Sequence, residues 1–215
     1  MRYQLVVFDW DGTIIDSAST IAECIRDAAA DLGLPVPTLD QARHVIGLGL
    51  QDALRGAVPD LPAERTPQFV ERYREHFRAR EERMGLFPGM RELIEQLSSN
   101  RALAIATGKS RRGLDRALQA SGLQPYFRAS RCADETHPKP HPAMLRELME
   151  KLGIAAGQAL MVGDTSHDME MARAAGVDAL AVTYGAHQET GLRACRPRGC
   201  VASVQELGEW LATNG

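Results

Sequence analysis

The chain has 215 residues, of which 44% are apolar, and its formal net charge at pH 7 is -3. This balance excludes the basic field of a nucleic-acid-binding protein, and no apolar run approaches the roughly 20 residues that a membrane span needs. The length accommodates one large domain or a domain with an insertion. The four cysteines form no C-x-x-C pair, so neither disulfides nor a zinc site is expected. Because no basic and then apolar segment opens the sequence, we expect a cytoplasmic protein.

The first predicted element is a short strand, Leu5 to Phe8, whose unbroken apolar run is typical of a strand buried on both faces of a sheet. Two carboxylates, Asp9 and Asp11, follow where the strand ends, and Gly12 lets the backbone turn tightly or approach a ligand. In open α/β sheets, ligands bind beyond the carboxyl ends of the strands. The two acids are therefore candidate site residues, although this pattern alone is equally typical of a turn.

The next stretch, residues 17–84, contains helix signals only. We predict four helices: Ser17 to Leu32, one from Thr38 to Gly47-Leu48-Gly49, Leu50 to Ala57, and a charged one from Thr66 to about Arg83. The alternating arginine and glutamate residues of the fourth helix are interpreted as a solvated face. Since no strand interrupts this stretch, we expect an all-helical inserted domain at 17–84, with a main domain formed by residues 1–16 and 85–215.

From Leu86 onward, strands and helices alternate. The predicted strands are 102–106, about 128–132, 159–162 and 179–182, and the predicted helices are one after Pro88-Gly89, then 110–120, 142–152, one from about 168 to 176, and 203–211. Alternating strand and helix units of this kind build a parallel sheet through right-handed crossovers. The expected fold class is therefore α/β, a Rossmann-like parallel sheet with helices on both faces.

Polar side chains also follow the later predicted strands. Thr107-Gly108 and Asp164 each stand at a strand end, Asp168 follows Asp164 at i+4, and Lys139 lies in a loop between them. Parallel strands deliver their carboxyl ends to the same edge of a sheet, so these residues can converge with the first two acids. Several carboxylates in one cleft repel each other unless a cation is present. Oxygen ligands without histidine or cysteine favour Mg²⁺ over zinc.

This set of residues predicts phosphoryl transfer. Asp9 is the candidate nucleophile, which attacks phosphorus to form an aspartyl-phosphate, and Asp11 is the candidate general acid and base. Thr107 and Lys139 are expected to hold the phosphate. Asp164 is expected to ligate the metal, whereas Asp168 is expected to ligate it indirectly or to orient Lys139.

Backbone groups complete the predicted site. The N–H groups of Gly108 and of the turn after it are expected to face an anion, because they begin a helix, and Gly12 allows close approach of the backbone. Lys109 either adds to the field around the phosphate or lies on the surface. The histidines near the motifs, His137, His141 and His167, are expected to lie on loop surfaces.

Four segments resemble the motifs of the haloacid dehalogenase superfamily, in the same order. They are Phe8 to Ser17 (FDWDGTIIDS), Ala106 to Lys109 (ATGK), Lys139-Pro140, and Gly163 to Asp168 (GDTSHD). The resemblance implies an Mg²⁺ held by Asp9, Asp164 and the backbone carbonyl of Asp11. It also implies that the helical insertion is a cap of the type that subfamily I members carry, with phosphoglycolate phosphatases as the nearest likeness.

The resemblance further implies the reaction. Asp11 favours hydrolysis of phosphate esters, because the dehalogenases of the superfamily lack an acid at that position. The expected substrate is a small phosphorylated metabolite, phosphoglycolate-like or a sugar phosphate. Sugar phosphomutases with this cap type share all four motifs and remain an alternative, and a non-catalytic phosphate-binding regulatory module is a further one. Gly47 and Gly49 resemble the substrate-specificity loop of such caps, although helix punctuation explains them equally well. The sequence predicts no oligomeric state.

Overall fold

A computed structural model describes residues 2–215, and its centre is a six-stranded sheet in which every pairing is parallel. The order of the strands across the sheet is β3-β2-β1-β4-β5-β6. Their bounds are β1 Leu5–Phe8, β2 Ala102–Thr107, β3 Ala129–Cys132, β4 Ala159–Gly163, β5 Asp178–Val182 and β6 Gly199–Val201. The predicted α/β fold class is confirmed, and β1 lies at the centre with β2 and β4 as its neighbours.

Ten α-helices connect or flank the strands within residues 2–215. Their bounds are α1 Ala18–Asp31, α2 Leu39–His44, α3 Leu50–Ala57, α4 Thr66–Arg80, α5 Met90–Ser98, α6 Arg111–Ser121, α7 Ala143–Leu152, α8 Ser166–Ala175, α9 Glu189–Ala194 and α10 Val204–Asn214. None of the described helices combines the length and the apolar character that crossing a membrane requires.

The sheet is buried on both faces. On one face, alternate strand residues such as Val6 and Phe8 pack against apolar residues of α5, α6 and α10. On the other face, Leu5 and Val7 pack against α7, α8 and α9. Because successive strand residues point to opposite faces, the continuous apolar sequence of β1 supplies both cores.

Helices α1 to α4 lie in residues 17–84, which we call the helical segment. They form a separate hydrophobic cluster, which Ala186 joins from outside the segment. Its members include Ile25 from α1, Leu54 from α3 and Phe69 from α4, each at most 2% exposed. The chain enters and leaves this segment side by side, since Ile15 and Leu86 form an antiparallel bridge and Asp16 N–H donates to the Gly85 carbonyl at 2.9 Å.

Two elements were not predicted. Helix α9 has six residues and strand β6 has three, and both follow β5. Such short elements contain too few residues to show a periodic apolar pattern, and β6 begins with a glycine. Helix α8 also begins two residues earlier than predicted, because Thr165 serves as its N-cap and forms a capping box with Asp168.

Candidate active site

The ends of the three central strands bring the predicted residues together. Asp9 follows β1, Thr107 is the last residue of β2, and Asp164 follows β4. These strands are direct neighbours in the sheet, and the backbone pairing continues one residue further, with Asp9 N–H donating to the Val162 carbonyl at 2.9 Å. All three side chains are at most 1% exposed.

A buried lysine joins two of the carboxylates. Lys139 Nζ lies 2.8 Å from Asp9 Oδ1 and 2.6 Å from Asp168 Oδ1, and none of the three side chains is more than 1% exposed. Burial by itself would lower the pKa of Lys139, but the carboxylates of Asp168 and Asp9 outweigh it and raise the pKa above its ordinary value. Lys139 is therefore a fixed positive charge at the centre of the site.

Asp168 pairs with Lys139 and also takes part in the N-terminal capping box of α8. One carboxylate oxygen, Oδ1, pairs with Lys139, while the other, Oδ2, accepts from the backbone N–H of Thr165 at 3.1 Å and from its hydroxyl at 2.6 Å. Both oxygens thus have partners within the protein. This arrangement favours the second of the two roles predicted for Asp168, the orientation of Lys139.

Asp164 is fixed by hydrogen bonds from both sides. Its Oδ1 accepts from the hydroxyl of Thr13 at 2.9 Å, and its Oδ2 accepts from the backbone N–H of Ala186 at 2.7 Å. A Cβ atom at Gly12, whose φ is 80°, or at Gly185 would overlap the Asp164 carboxylate. Burial and the charge of Asp168 raise the pKa of Asp164 to about 7. Gly12 is thus needed here for the close approach of a side chain.

The three buried carboxylates suit a hard cation. One oxygen each of Asp9, Asp164 and Asp168 lies within 4.8 Å of the other two. Asp9 Oδ2 is buried and has no hydrogen-bond partner among residues 2–215. Burial and the other two carboxylates raise the pKa of Asp9 well above its usual range, even though Lys139 opposes them. A divalent cation would offset the repulsion among the three carboxylates, and carboxylate oxygens are ligands that Mg²⁺ accepts.

Asp11 lies at the mouth of this cluster. Lys109 Nζ donates to its two oxygens at 3.1 and 3.0 Å, and the hydroxyl of Ser17 donates to Oδ1 at 2.9 Å. Neither of the two positions expected for Lys109, near the phosphate or on the surface, describes this contact. Instead, the lysine binds the carboxylate of the candidate acid and base, Asp11. Sequence spacing gives no signal for this contact, which spans 98 positions.

A loop of the helical segment lies directly on the strand ends. A Cβ atom at Gly108 would overlap the backbone carbonyls of Gly47 and Leu48, and a Cβ atom at Gly49 would lie 3.6 Å from the side chain of Pro138. Gly47 and Gly49 thus line the same cavity as Asp9 and Asp11. Thr107, next to Gly108, accepts a hydrogen bond at its hydroxyl from Lys109 N–H at 3.2 Å.

Three histidines connect the helical segment to the rest of the chain, which we call the core. The carbonyl of His44 in α2 accepts from His167 Nε2 at 2.9 Å and from His187 Nε2 at 3.0 Å. The rings of His44 and His187 are stacked with centroids 5.1 Å apart. The expectation that His167 lies on a loop surface was therefore wrong, because its ring is half-buried against the helical segment.

A cavity of about 730 Å³ opens above the carboxylates, between the core and the helical segment. Its core side includes Asp9, Asp11 and Thr107, and its other side includes Tyr73 and Phe77 of α4. The prediction of a solvated face concerned only the arginine and glutamate residues of α4, and it did not cover these two aromatic residues, which line the cavity. Tyr73 and Phe77 are four positions apart, so the sequence alone places them on the same face of a helix. The sequence does not show that this face lines a cavity.

The chain from residue 6 to residue 182 matches the family model described as haloacid dehalogenase-like hydrolase. It is 39% identical over 210 residues to "Probable phosphatase IndB" of Dickeya dadantii, covering 94% of this chain and 91% of that protein. It is 33% identical over 192 residues to a phosphoglycolate phosphatase of Aliivibrio fischeri, covering 85% of each chain.

A solved structure shares the fold along the whole chain. The crystal structure of a predicted phosphoglycolate phosphatase from Haemophilus somnus 129pt superposes with a TM-score of 0.85 at 25% identity, covering 100% of this chain and 99% of that one. The sheet, the flanking helices and the helical segment therefore all lie within the region of similarity.

Proposed function

This chain belongs to the haloacid dehalogenase-like hydrolase family, and we propose that within this family it is an Mg²⁺-dependent phosphomonoesterase for a small phosphorylated metabolite, phosphoglycolate-like or a sugar phosphate. One observation carries the proposal. The buried carboxylate of Asp9 faces the cavity with one oxygen on Lys139 and the other without a partner among the described residues. An oxygen in this position is suited to attack a phosphorus atom held in front of it.

In the first half of the proposed reaction, Lys139 Nζ, the Thr107 hydroxyl and nearby backbone N–H groups hold the oxygens of the phosphoryl group. Asp9 Oδ2 attacks phosphorus, and the bond between phosphorus and the leaving alcohol breaks. Asp11 gives its proton to the departing oxygen, which leaves as the neutral alcohol. The product on the enzyme is an aspartyl-phosphate at Asp9.

In the second half, Asp11 takes a proton from a water molecule. The water oxygen attacks phosphorus, the bond between phosphorus and Asp9 breaks, and inorganic phosphate leaves. Asp9 and Asp11 then return to their starting states. The hydrogen bonds from Ser17 and Lys109 to Asp11 keep its carboxylate aimed at the cavity during both halves.

We propose that Asp9, Asp164 and the backbone carbonyl of Asp11 hold the Mg²⁺. When bound, the ion neutralises the charge of the phosphoryl oxygens and of the buried carboxylates. The hydrogen bonds from Thr13 and Ala186 fix Asp164 in place before binding. Asp168 contributes by positioning Lys139.

We also propose that the helical segment acts as a cap on a core made of residues 1–16 and 85–215. Its Gly47-Leu48-Gly49 loop, which lies on the strand ends, is the part expected to contact the substrate. A cytoplasmic location is part of the same proposal, and the four free cysteine thiols suit a reducing compartment.

The activity can be tested by measuring phosphate release from p-nitrophenyl phosphate and from a panel of metabolite phosphates. We expect turnover with Mg²⁺ and loss of turnover after chelation, because the single positive charge of Lys139 cannot offset three buried carboxylates and a phosphate dianion beside them. Adding Mg²⁺ back should restore the rate. Conversion of a hexose 1-phosphate to its 6-phosphate with little net phosphate release would contradict the proposal and favour a mutase.

The contact between the Gly47-Leu48 loop and the core gives a second test. The change Gly108→Ala places a Cβ atom against the Leu48 and Gly47 carbonyls, so the loop must move away from the strand end. Displacement of a positioning group by about 1 Å can lower kcat/KM by about 100-fold, and we expect a loss of about 10- to 100-fold. Gly191→Ala, in α9 where a Cβ atom meets nothing within 4 Å, is the matched control. Equal activity of the two variants would show that the loop does not contact the substrate.

A further inference from the structure

We infer that the leaving group of the substrate carries an apolar portion about the size of a six-membered ring, seated against the helical segment. This inference rests on the proposed phosphatase function, but it replaces the two substrate classes named there with an ester whose leaving group is partly apolar. It follows from the size of the cavity, from the separation of its polar and apolar walls, and from the positions of its cations.

The cavity is large even though the helical segment is in contact with the core. The Gly47-Leu48 loop touches Gly108, and the His44 carbonyl receives two hydrogen bonds from core histidines at 2.9 and 3.0 Å. Its volume of about 730 Å³ therefore belongs to a docked arrangement and not to a separated pair of domains. Sites of this size hold ligands much larger than a two-carbon acid.

The walls of the cavity differ in chemistry. The groups that would meet the phosphate, Asp9, Asp11 and Thr107, all come from the core. The opposite wall comes from the helical segment, and its apolar or aromatic residues include Ile21, Ile25, Val45, Val70, Tyr73 and Phe77. The polar side chains on this side, Gln51, Asp52, Arg74 and Arg78, are all exposed. A bound ester thus has its phosphate at the polar end, and burial of an apolar leaving group against the opposite wall is favourable.

The cations of the cavity do not suit a glycolate carboxylate. Lys109 is half-buried, but its ammonium group already contacts both oxygens of Asp11 and lies 4.8 Å from the centre of the Phe77 ring. A second carboxylate beside the phosphate would compete with Asp11 for this lysine. The remaining cations that line the cavity are exposed arginines: Arg74, Arg78, Arg112 and Arg116. Exposed charges of this kind contribute little binding energy.

The test compares benzyl phosphate with ethyl phosphate and 2-phosphoglycolate in the presence of Mg²⁺. Benzyl and ethyl phosphate both release a primary alcohol, so the chemical step is similar and the difference reports contact with the apolar wall. We expect kcat/KM for benzyl phosphate to exceed that for ethyl phosphate by about 100-fold. An equal or higher kcat/KM for ethyl phosphate or 2-phosphoglycolate would overturn the inference.

A substitution in the apolar wall tests whether this wall causes the difference between the two esters. Val70→Phe adds a ring to the apolar wall, and we expect it to lower kcat/KM for benzyl phosphate at least about tenfold while ethyl phosphate changes by less than about twofold. Val36→Phe, at a site 49% exposed and outside the cavity, is the matched control and should change neither value. A loss that is the same for both esters, in a variant that unfolds at the wild-type temperature, contradicts the inference.

A second variant covers the case in which Val70→Phe fails to fold. Phe77→Ala removes an aromatic residue that is only half-buried, and it should lower the ratio of kcat/KM for benzyl phosphate to kcat/KM for ethyl phosphate about tenfold. The ratio is the readout because the Phe77 ring also lies 4.8 Å from the Lys109 ammonium group, and an effect through Lys109 and Asp11 changes both esters alike. The two proposals fail differently. If p-nitrophenyl phosphate and all the esters remain intact with Mg²⁺, the phosphatase function itself is overturned, whereas turnover of small esters alone overturns only the inference about the leaving group.

Discussion

Replacement of Asp9 by asparagine is expected to abolish phosphate release, with kcat lowered by at least about 10⁴-fold, the scale seen when a nucleophile is removed from an enzyme. The amide has nearly the same shape as the carboxylate but no anionic oxygen to attack phosphorus. The fold should remain intact, because the change removes one of three buried carboxylates and leaves Lys139 paired with Asp168 at 2.6 Å. The measurement is phosphate release from p-nitrophenyl phosphate, together with a thermal unfolding curve.

The matched control is Asp60→Asn, which makes the same chemical change at an exposed position. It should retain wild-type kcat. Mass spectrometry of the acid-quenched wild-type enzyme during turnover should also find a phosphoryl group on the peptide that contains Asp9. Wild-type rates in Asp9→Asn would overturn the assignment of Asp9 as the nucleophile.

The second large effect is expected in Lys139→Met, which should lose both activity and stability. The lysine side chain is fully buried between two carboxylates, at 2.8 Å from Asp9 and 2.6 Å from Asp168. Removing one partner of a buried ion pair leaves the other charges without compensation, which typically costs about 3–5 kcal/mol of unfolding free energy. Phosphate release should fall as well, because the phosphoryl group loses its buried cation.

A double variant separates the two effects of Lys139. Adding Asp168→Asn to Lys139→Met removes one uncompensated carboxylate, so it should recover part of the unfolding free energy without restoring kcat. Lys151→Met, at an exposed position of α7, serves as the control and should change neither quantity. If Lys139→Met unfolded with the wild-type free energy and kept its kcat, the buried lysine would have neither of these roles.

Much of the fold could be predicted from the sequence because its signals are local. The apolar run of β1 ends abruptly at Asp9, and the run of β4 ends at Gly163-Asp164, so the strand ends were visible without any knowledge of contacts. Helix α9 and strand β6 were missed because they are short, and short elements are stabilised by their neighbours more than by their own pattern. The start of α8 was misplaced because its cap, Thr165, was interpreted as part of a motif loop.

Contacts between distant residues explain what the sequence did not reveal about the site. The pairing of Lys109 with Asp11, the hydrogen bonds of His167 and His187 to the His44 carbonyl, and the aromatic wall of α4 all join segments that are far apart in the chain. Side chains in such contacts carry no local signature of their partners. A lysine that follows a strand, or a tyrosine in a charged helix, has the same kind of neighbours in the sequence whether it lies on the surface or in a functional site.

The sequence by itself determined which residues stand at the strand ends, and parallel pairing then required Asp9, Thr107 and Asp164 to meet at one edge. Only the tertiary structure decided which partners the side chains of the site contact. Lys139 pairs with Asp9 and Asp168, Asp11 is held by Lys109, and Asp9 keeps one buried oxygen unpartnered among residues 2–215. The physical reason is that the position where a strand ends is set by the local sequence, whereas side-chain pairing depends on how distant segments pack over the sheet edge.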